Sequence, residues 1–244
     1  MVRAESYYRN SDASRMQTPP TAQLECSAIL FDLDGVLVDS TKCIENTWRT
    51  WAKGEGLDPF AVLQAAHGRR AIETIQLMAP LLDATEVAAK LAAHEASATE
   101  GVCEVPGARA LLDRLPSTGW AVVTSAVRAV ANHRMRLARL PMPRVMVCAD
   151  DVANGKPNAE GYRAAARQLG SAPEDCIVIE DAPAGLMAAQ SAGMRAIAIT
   201  TTHSRQEMSD AALIVPRLAD LIVQLHHRED GTRLQIDVDR ELRS

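Results

Sequence analysis

Aromatic residues are scarce in this chain of 244 residues: three Trp, three Tyr and two Phe, 3% in all. Rings for stacking on bases are therefore few. Basic residues do not make up for them, because 26 Lys and Arg face 31 Asp and Glu, for a formal charge of −5. A surface that tracks nucleic-acid phosphates is not expected. Long apolar runs are missing as well. No stretch approaches the roughly 18 consecutive apolar residues of a membrane-spanning helix. Met1 to Gln23 is polar, without the apolar centre of a secretory signal. Paired cysteines are the last absence. Cys26, Cys43, Cys103, Cys148 and Cys176 are scattered with no Cys-x-x-Cys, so they read as reduced thiols of a cytoplasmic protein rather than a disulfide framework or zinc site.

With 47% hydrophobic and 23% charged residues, the chain is long enough for one large domain, or one domain carrying an insert. The first two dozen residues, closing on Pro19-Pro20, read as a flexible leader (residues 1–26). The run Ala28-Ile-Leu-Phe31 then stops at Asp32, as a buried strand of a parallel sheet does. Trp120–Thr124, Cys176–Glu180 and Arg195–Thr200 repeat the design, with weaker candidates at Arg144–Cys148 and Ala212–Pro216. Helix-length segments separate them, at Pro106–Leu115, Arg128–Leu137, Asn158–Leu169 and Pro183–Ala192. Alternation of this kind predicts an α/β fold, a Rossmann-like doubly wound parallel sheet with ligands at the C-terminal strand edges.

From about Thr41 to Val105 no strand is expected. Ile44–Ala52, Ala71–Met78 and Ala84–Ala98 have helical spacing, so residues 41–105 are predicted to form an inserted helical cap, set where it overhangs the strand edges. The core is then residues 27–40 and 106–225. A tail, residues 226–244, contains a possible strand from Arg233 to Val238.

The strand edges carry the chemistry. Asp32 and Asp34 flank Leu33 where the first strand ends, and Gly35 lets the backbone turn. Two such acids repel unless a cation or substrate needs them, and magnesium prefers carboxylate and carbonyl oxygens. An Asp-Gly turn with an adjacent Asp is the bland alternative. Glu180-Asp181 ends another strand. Asp181 before Ala182-Pro183 has a structural reading as a helix cap, but Glu180 adds charge that a cap does not need. Ser125 follows the strand at Trp120 and sits at a helix start, suited to phosphate oxygens. Lys156, between Gly155 and Pro157, is a counter-charge for a phosphoryl group, or else a solvated loop lysine.

Four motifs in order, Phe31-Asp-Leu-Asp-Gly-Val-Leu-Val-Asp-Ser40, Val123-Thr-Ser125, Gly155-Lys-Pro157 and Glu180-Asp-Ala-Pro-Ala-Gly185, resemble the haloacid dehalogenase-like hydrolase superfamily over roughly residues 27–225. The resemblance implies that Asp32 is a nucleophile forming an aspartyl-phosphate and a ligand of magnesium. It implies that Asp34 protonates the leaving alcohol and later activates water, its carbonyl binding the metal. Ser125 and the Ala126 amide would hold a phosphate oxygen, Lys156 would balance charge, Asp181 would ligate magnesium and Glu180 would do so directly or through water. Dehalogenase members lack the second aspartate, so phosphoryl transfer is implied.

The cap resembles that of the phosphoglucomutase-like branch, with the nearest likeness to sugar phosphatases and glycerol phosphate phosphatases, on His67-Gly-Arg-Arg70. There His67 and Arg70 would contact the substrate, or else stand in a solvated loop, and Asn158 is a helix cap or a further contact. The expected activity is a magnesium-dependent phosphatase for a small sugar or polyol phosphate, working as a monomer or weak homodimer, with no nucleic acid and no membrane. A β-phosphoglucomutase-type mutase is the competing enzyme, although its histidine early in the first cap helix corresponds to Ile44. A non-catalytic phosphate-binding or regulatory protein is the third reading. A receiver domain resembles the acidic cluster, but is about half this length and has no cap.

Overall fold

Apolar runs without polar alternation have to be covered on both faces, and the structure, a computed structural model describing residues 23–228 and 231–238, covers them. In chain order the elements are β1 (Leu24–Cys26), β2 (Ala28–Phe31), β3 (Val38–Asp39), α1 (Thr41–Gly54), α2 (Pro59–Ala66), α3 (Ala71–Met78), α4 (Ala84–Glu95) and β4 (Cys103–Glu104). There follow α5 (Ala108–Leu112), β5 (Trp120–Val123), α6 (Arg128–Leu137), β6 (Val145–Val147), α7 (Glu160–Leu169), β7 (Cys176–Glu180), α8 (Pro183–Ala192) and β8 (Arg195–Ile199). The last are β9 (Leu213–Val215), β10 (Leu221–Arg228) and β11 (Gly231–Val238). No helix among the described residues is long and apolar enough to cross a membrane.

All six expected strands join one parallel sheet in the order β6-β5-β2-β7-β8-β9. The chain therefore starts in the middle, winds outward through β5 and β6, then returns to β7 on the other side of β2. The crevice between β2 and β7 is the topological switch point, where open α/β sheets bind their ligands. Successive strand residues alternate between two cores. Ile29, Phe31, Trp120, Val122, Ile177 and Ile179 pack with α5, α6 and the β10–β11 hairpin. Ala28, Leu30, Ala121, Val123 and Val178 pack on α7 and α8 through Tyr162, Ala165, Leu186 and Ala189. At about 1.5–3 kcal/mol for each large side chain fully buried, these two layers fix the strand ends that carry the acids.

Residues 41–102 hold four helices rather than the three expected. The additional helix, α2, begins at an Asp58-Pro59 start in which the Asp58 carboxylate accepts from the Phe60 N–H at 3.0 Å. Its apolar, weakly periodic sequence hid it. The helices have their own core of Trp48, Trp51, Val62, Leu63 and Ile75, with Trp48 and Trp51 edge to face at 5.5 Å.

Two expectations are corrected and a third is borne out. A strand does occur before residue 105: Cys103–Glu104 pairs antiparallel with Val38–Asp39, forming a two-residue ribbon too short to leave a pattern. The order expected from Ala28 begins earlier, because Leu24–Cys26 is a strand, while leader residues 1–22 lie outside the described residues. The expected strand at Arg233–Val238 is part of β11, which lies between β1 and β10 in a separate antiparallel sheet and places Leu234 and Ile236 in the core. Residues 239–244 of the tail lie outside the described residues.

Candidate active site

Asp32 directly follows β2, and its backbone N–H donates to the Ile179 carbonyl at 3.0 Å, so the sheet ladder sets its place. Its carboxylate accepts from Lys156 Nζ, which arrives from the loop between β6 and α7 and is itself buried. Lys156 also donates to Glu180 Oε1 at 2.5 Å. Glu180, 1% exposed, is saturated with donors: Tyr162 Oη on the same oxygen at 2.6 Å, and the N–H groups of Asp181 and Ala182 on the other at 3.1 and 3.3 Å. Asp181 accepts from Thr202 Oγ1 at 2.5 Å. Carboxylate oxygens of Asp32, Glu180 and Asp181 all lie within 4.8 Å of one another.

Three buried carboxylates against one ammonium leave an excess of negative charge. Burial pushes the Asp32 carboxyl well above its usual range, Lys156 opposes this, and Glu180, Asp181 and Asp34 add to it. Asp181 is pushed up to about 7, by burial first and then by Glu180. Burial works against charge on Lys156, but Asp32 and Glu180 outweigh it and hold the lysine protonated, above its ordinary value. Burial and then Glu180 raise Tyr162, which stays a neutral donor. An all-oxygen donor set with surplus negative charge fits a hard divalent cation.

Two glycines make room for this cluster. Gly35 has φ +82°, and a Cβ there would lie 2.0 Å from Asp181 Oδ2. A Cβ on Gly185, in the first turn of α8, would meet Glu180 Oε1 at 1.7 Å. The turn made by Gly35 brings Asp34 beside the crevice, with Ser40 Oγ donating to Oδ1 at 2.5 Å and Arg134 Nη1 donating to Oδ2 at 2.8 Å.

Above the crevice lies a cavity of about 430 Å³ between the sheet edge and the cap helices. Asp32, Asp34, Ser125, Ala126, His67, Arg70 and Asp181 reach it, whereas Lys156 and Glu180 stand outside its lining, Lys156 bonded to both Asp32 and Glu180. Ser125 Oγ donates to the Gly68 carbonyl of the cap at 2.9 Å. His67 faces His203 edge to face at 5.4 Å, and burial, then His203, lowers its pKa. Arg70 is turned toward the core: it donates to the Val152 and Ala153 carbonyls at 3.0 and 2.9 Å and pairs with Glu73, which accepts from the Gly155 N–H at 3.1 Å. Asn158 stays outside the cavity, in the turn before α7, where its side-chain oxygen accepts from the Glu160 N–H at 2.9 Å while Ala159 holds the N-cap position.

Sequence reasoning missed Ser40, Tyr162, Thr202, His203, Glu95 and Arg134. One signal was available. Arg134 falls on the same face of α6 as the buried Val130, four residues earlier, and a cation on a helix's apolar stripe needs a partner.

A parallel sheet with acids and a lysine gathered at its switch point, under a helical cap, defines a capped α/β hydrolase. The chain belongs to the haloacid dehalogenase-like hydrolase family, whose model matches residues 29–199. It is 39% identical over 205 residues to hexitol phosphatase A of Escherichia coli, covering 82% of this chain and 95% of that protein. It is 33% identical to glycerol-1-phosphate phosphohydrolase 2 of Saccharomyces cerevisiae, covering 86% of each. Among solved structures, CbbY from Rhodobacter sphaeroides in complex with phosphate superposes with a TM-score of 0.69 at 25% identity, over 80% of this chain and 96% of that one.

Proposed function

We propose that the protein is a magnesium-dependent phosphatase that hydrolyses small sugar or polyol phosphates through an aspartyl-phosphate. The observation that carries this reading is the Lys156–Asp32 contact at the switch point, with Asp181 and Glu180 beside it and Asp34 two residues on. The names of the bacterial and yeast relatives support the substrate class.

In this mechanism Asp32 attacks phosphorus while the bond to the leaving oxygen breaks, and Asp34 gives that oxygen its proton. Water then attacks the phosphorus of the aspartyl-phosphate. Asp34 takes the water's proton, and Asp32 leaves as a carboxylate. Lys156 opposes the burial that raises the Asp32 carboxyl, favouring its ionised form, and balances charge on the phosphoryl group. Ser125 Oγ and the Ala126 N–H orient a phosphate oxygen, the hydroxyl exchanging its bond to Gly68 for one to substrate. Asp32, Asp181, the Asp34 carbonyl and Glu180, directly or through water, would hold magnesium, which when bound supplies positive charge to the phosphoryl oxygens.

Residues 41–105 act as the lid. His67 reads the leaving group, and Arg70 docks the lid onto the loop before Lys156. Ile44 lines the cavity at the position of the mutase histidine. It cannot shuttle a proton to a sugar, which favours hydrolysis over mutase chemistry. Release of phosphate from an aryl phosphate should disappear with a chelator and in Asp32→Asn. Activity that survives either treatment would falsify the mechanism, and a screen of hexose, hexitol and glycerol phosphates tests the substrate class.

A further inference from the structure

Two cations are buried among the described residues, and each sits on one of the two aspartates that end β2. Lys156 is bonded to Asp32, and Arg134, 2% exposed, to Asp34. The lysine belongs to the motif set already described. The arginine comes from the middle of α6, and its guanidinium spans two bodies: Nη1 donates to Asp34 Oδ2 in the core and Nη2 to Glu95 Oε2 at the end of cap helix α4, both at 2.8 Å. Its Nε is buried without a partner. Next to it, His133 Nε2 lies 2.7 Å from the Ala98 carbonyl just beyond α4, so two consecutive residues of α6 touch the cap.

Stability does not account for this arrangement. Desolvating a guanidinium and two carboxylates consumes most of what their pairing returns, and apolar residues would fill the volume at least as well. Geometry offers a different account. Arginine is a donor only, so its bond to Oδ2 fixes that oxygen as an acceptor, and any proton carried by Asp34 resides on Oδ1. Oδ1 is the oxygen bonded to the Ser40 hydroxyl, a group that can rotate away.

Resting on the reading of Asp34 as the acid and base, we propose that Arg134 is a positioning residue that aims Asp34 Oδ1 at the leaving oxygen, and that Glu95 couples this aim to docking of the cap. In the first half-reaction the Oδ1–H bond breaks, the proton passes to the leaving oxygen as the P–O bond breaks, and the new carboxylate charge rests against Arg134. When Glu95 is in place it draws one arm of the guanidinium and fixes its plane. Without it Arg134 turns toward Asp34 alone and the carboxylate loses its orientation.

The test exploits leaving groups that differ in their need for a proton. Over a series of substituted phenyl phosphates, kcat/KM of Arg134→Gln should fall by about threefold for 4-nitrophenyl phosphate and by about 30-fold or more for phenyl phosphate. The latter is part of the roughly 10²–10⁴ that a general acid contributes. Arg134→Lys, which keeps the positive charge but on a single nitrogen, should recover part of the phenyl phosphate rate, and Glu95→Gln should show the same trend at about a third of its size. Arg134→Met combined with Glu95→Gln removes the arginine together with its buried cap partner and leaves only the one-fifth-exposed Asp34 carboxylate without it, which makes it the milder variant, checked by thermal melting, should the single variants aggregate; it should show the Arg134→Gln trend. Equal losses across the series, or none, in Arg134→Gln or in the double variant overturn the proposal. Asp34→Asn run on the same series separates the two readings: a steep trend there with a flat one for Arg134 removes only the positioning role, while a flat Asp34→Asn trend removes the acid itself.

Discussion

Replacing Lys156 by Met tests the electrostatics of the site most directly. The ammonium is the counter-charge bonded to two buried carboxylates, Asp32 and Glu180, and an Asp181 oxygen lies within 4.8 Å of an oxygen of each. Methionine fills nearly the same space but leaves these acids without a cation. Breaking a buried pair by removing one partner costs about 3–5 kcal/mol. At about 2–4 °C per kcal/mol for a chain of this size, the melting temperature of chelated protein should fall by about 6–20 °C. The loss should also depend on pH with a definite sign. Asp32 and Asp181 already have raised pKa values, the latter about 7, and losing Lys156 raises that of Asp32 further, since the lysine is its main opposing influence. Between the unfolded value near 3.8 and the folded one, the native state binds more protons than the unfolded state, so stability declines as pH rises through that window. The gap between variant and wild type should therefore be widest above about pH 7 and close toward pH 4, and magnesium should restore part of it. Far-UV melts in chelator from pH 4 to 8 measure this. A gap under about 2 °C, or one that ignores pH, would refute the charge argument.

Gly185→Ala should displace the Glu180 carboxylate, because a Cβ 1.7 Å from Oε1 cannot be accommodated. Overpacking of this kind costs about 1–3 kcal/mol, and weakened metal affinity by calorimetry should accompany the lower melting temperature. His67→Ala should alter the ranking among sugar phosphates while sparing a small aryl phosphate. Arg70→Ala, which frees the cap from Val152 and Ala153, should lower kcat/KM on both by a similar factor; the reverse pattern would exchange the two roles.

The parts of the molecule that were legible in sequence are those where one residue type is forced. Ala28–Phe31, Trp120–Val123 and Cys176–Glu180 are covered on both faces, so they had to be unbroken apolar runs, and the acids had to stand where those runs stop. The doubly wound parallel sheet followed from alternation and handedness, whereas the order of its strands did not. What escaped notice depends on pairing at long range. Leu24–Cys26 is strand only because β11 returns across more than two hundred residues to meet it, and Val38–Asp39 only because Cys103–Glu104 closes the base of the cap. The same holds at the site. Lys156 announced itself through Gly155 and Pro157, whereas Tyr162, Thr202 and Arg134 are ordinary residues of a helix or loop until the fold aims them at a carboxylate.

Cap and site are assembled by the same bonds. Ser125 Oγ is tied to the Gly68 carbonyl, Arg70 and Glu73 hold the loop from Val152 to Gly155 immediately before Lys156, and Arg134 joins Glu95 to Asp34. These cap contacts thus end on Ser125, on the Arg134 bonded to Asp34, or within four residues of Lys156. At about 0.5–1.5 kcal/mol net for a neutral hydrogen bond, and more for those to charged groups, releasing the whole set costs several kcal/mol. That is within reach of lid motions on the microsecond to millisecond scale. A cap that opens to admit a sugar phosphate therefore slackens Ser125, the Lys156 loop and Asp34 together, and one that closes restores all three. On the proposed mechanism, water entering an opened cavity would meet an incompletely aimed acid and a loosened lysine loop, and productive attack would be confined to the closed state, after the alcohol has had room to leave.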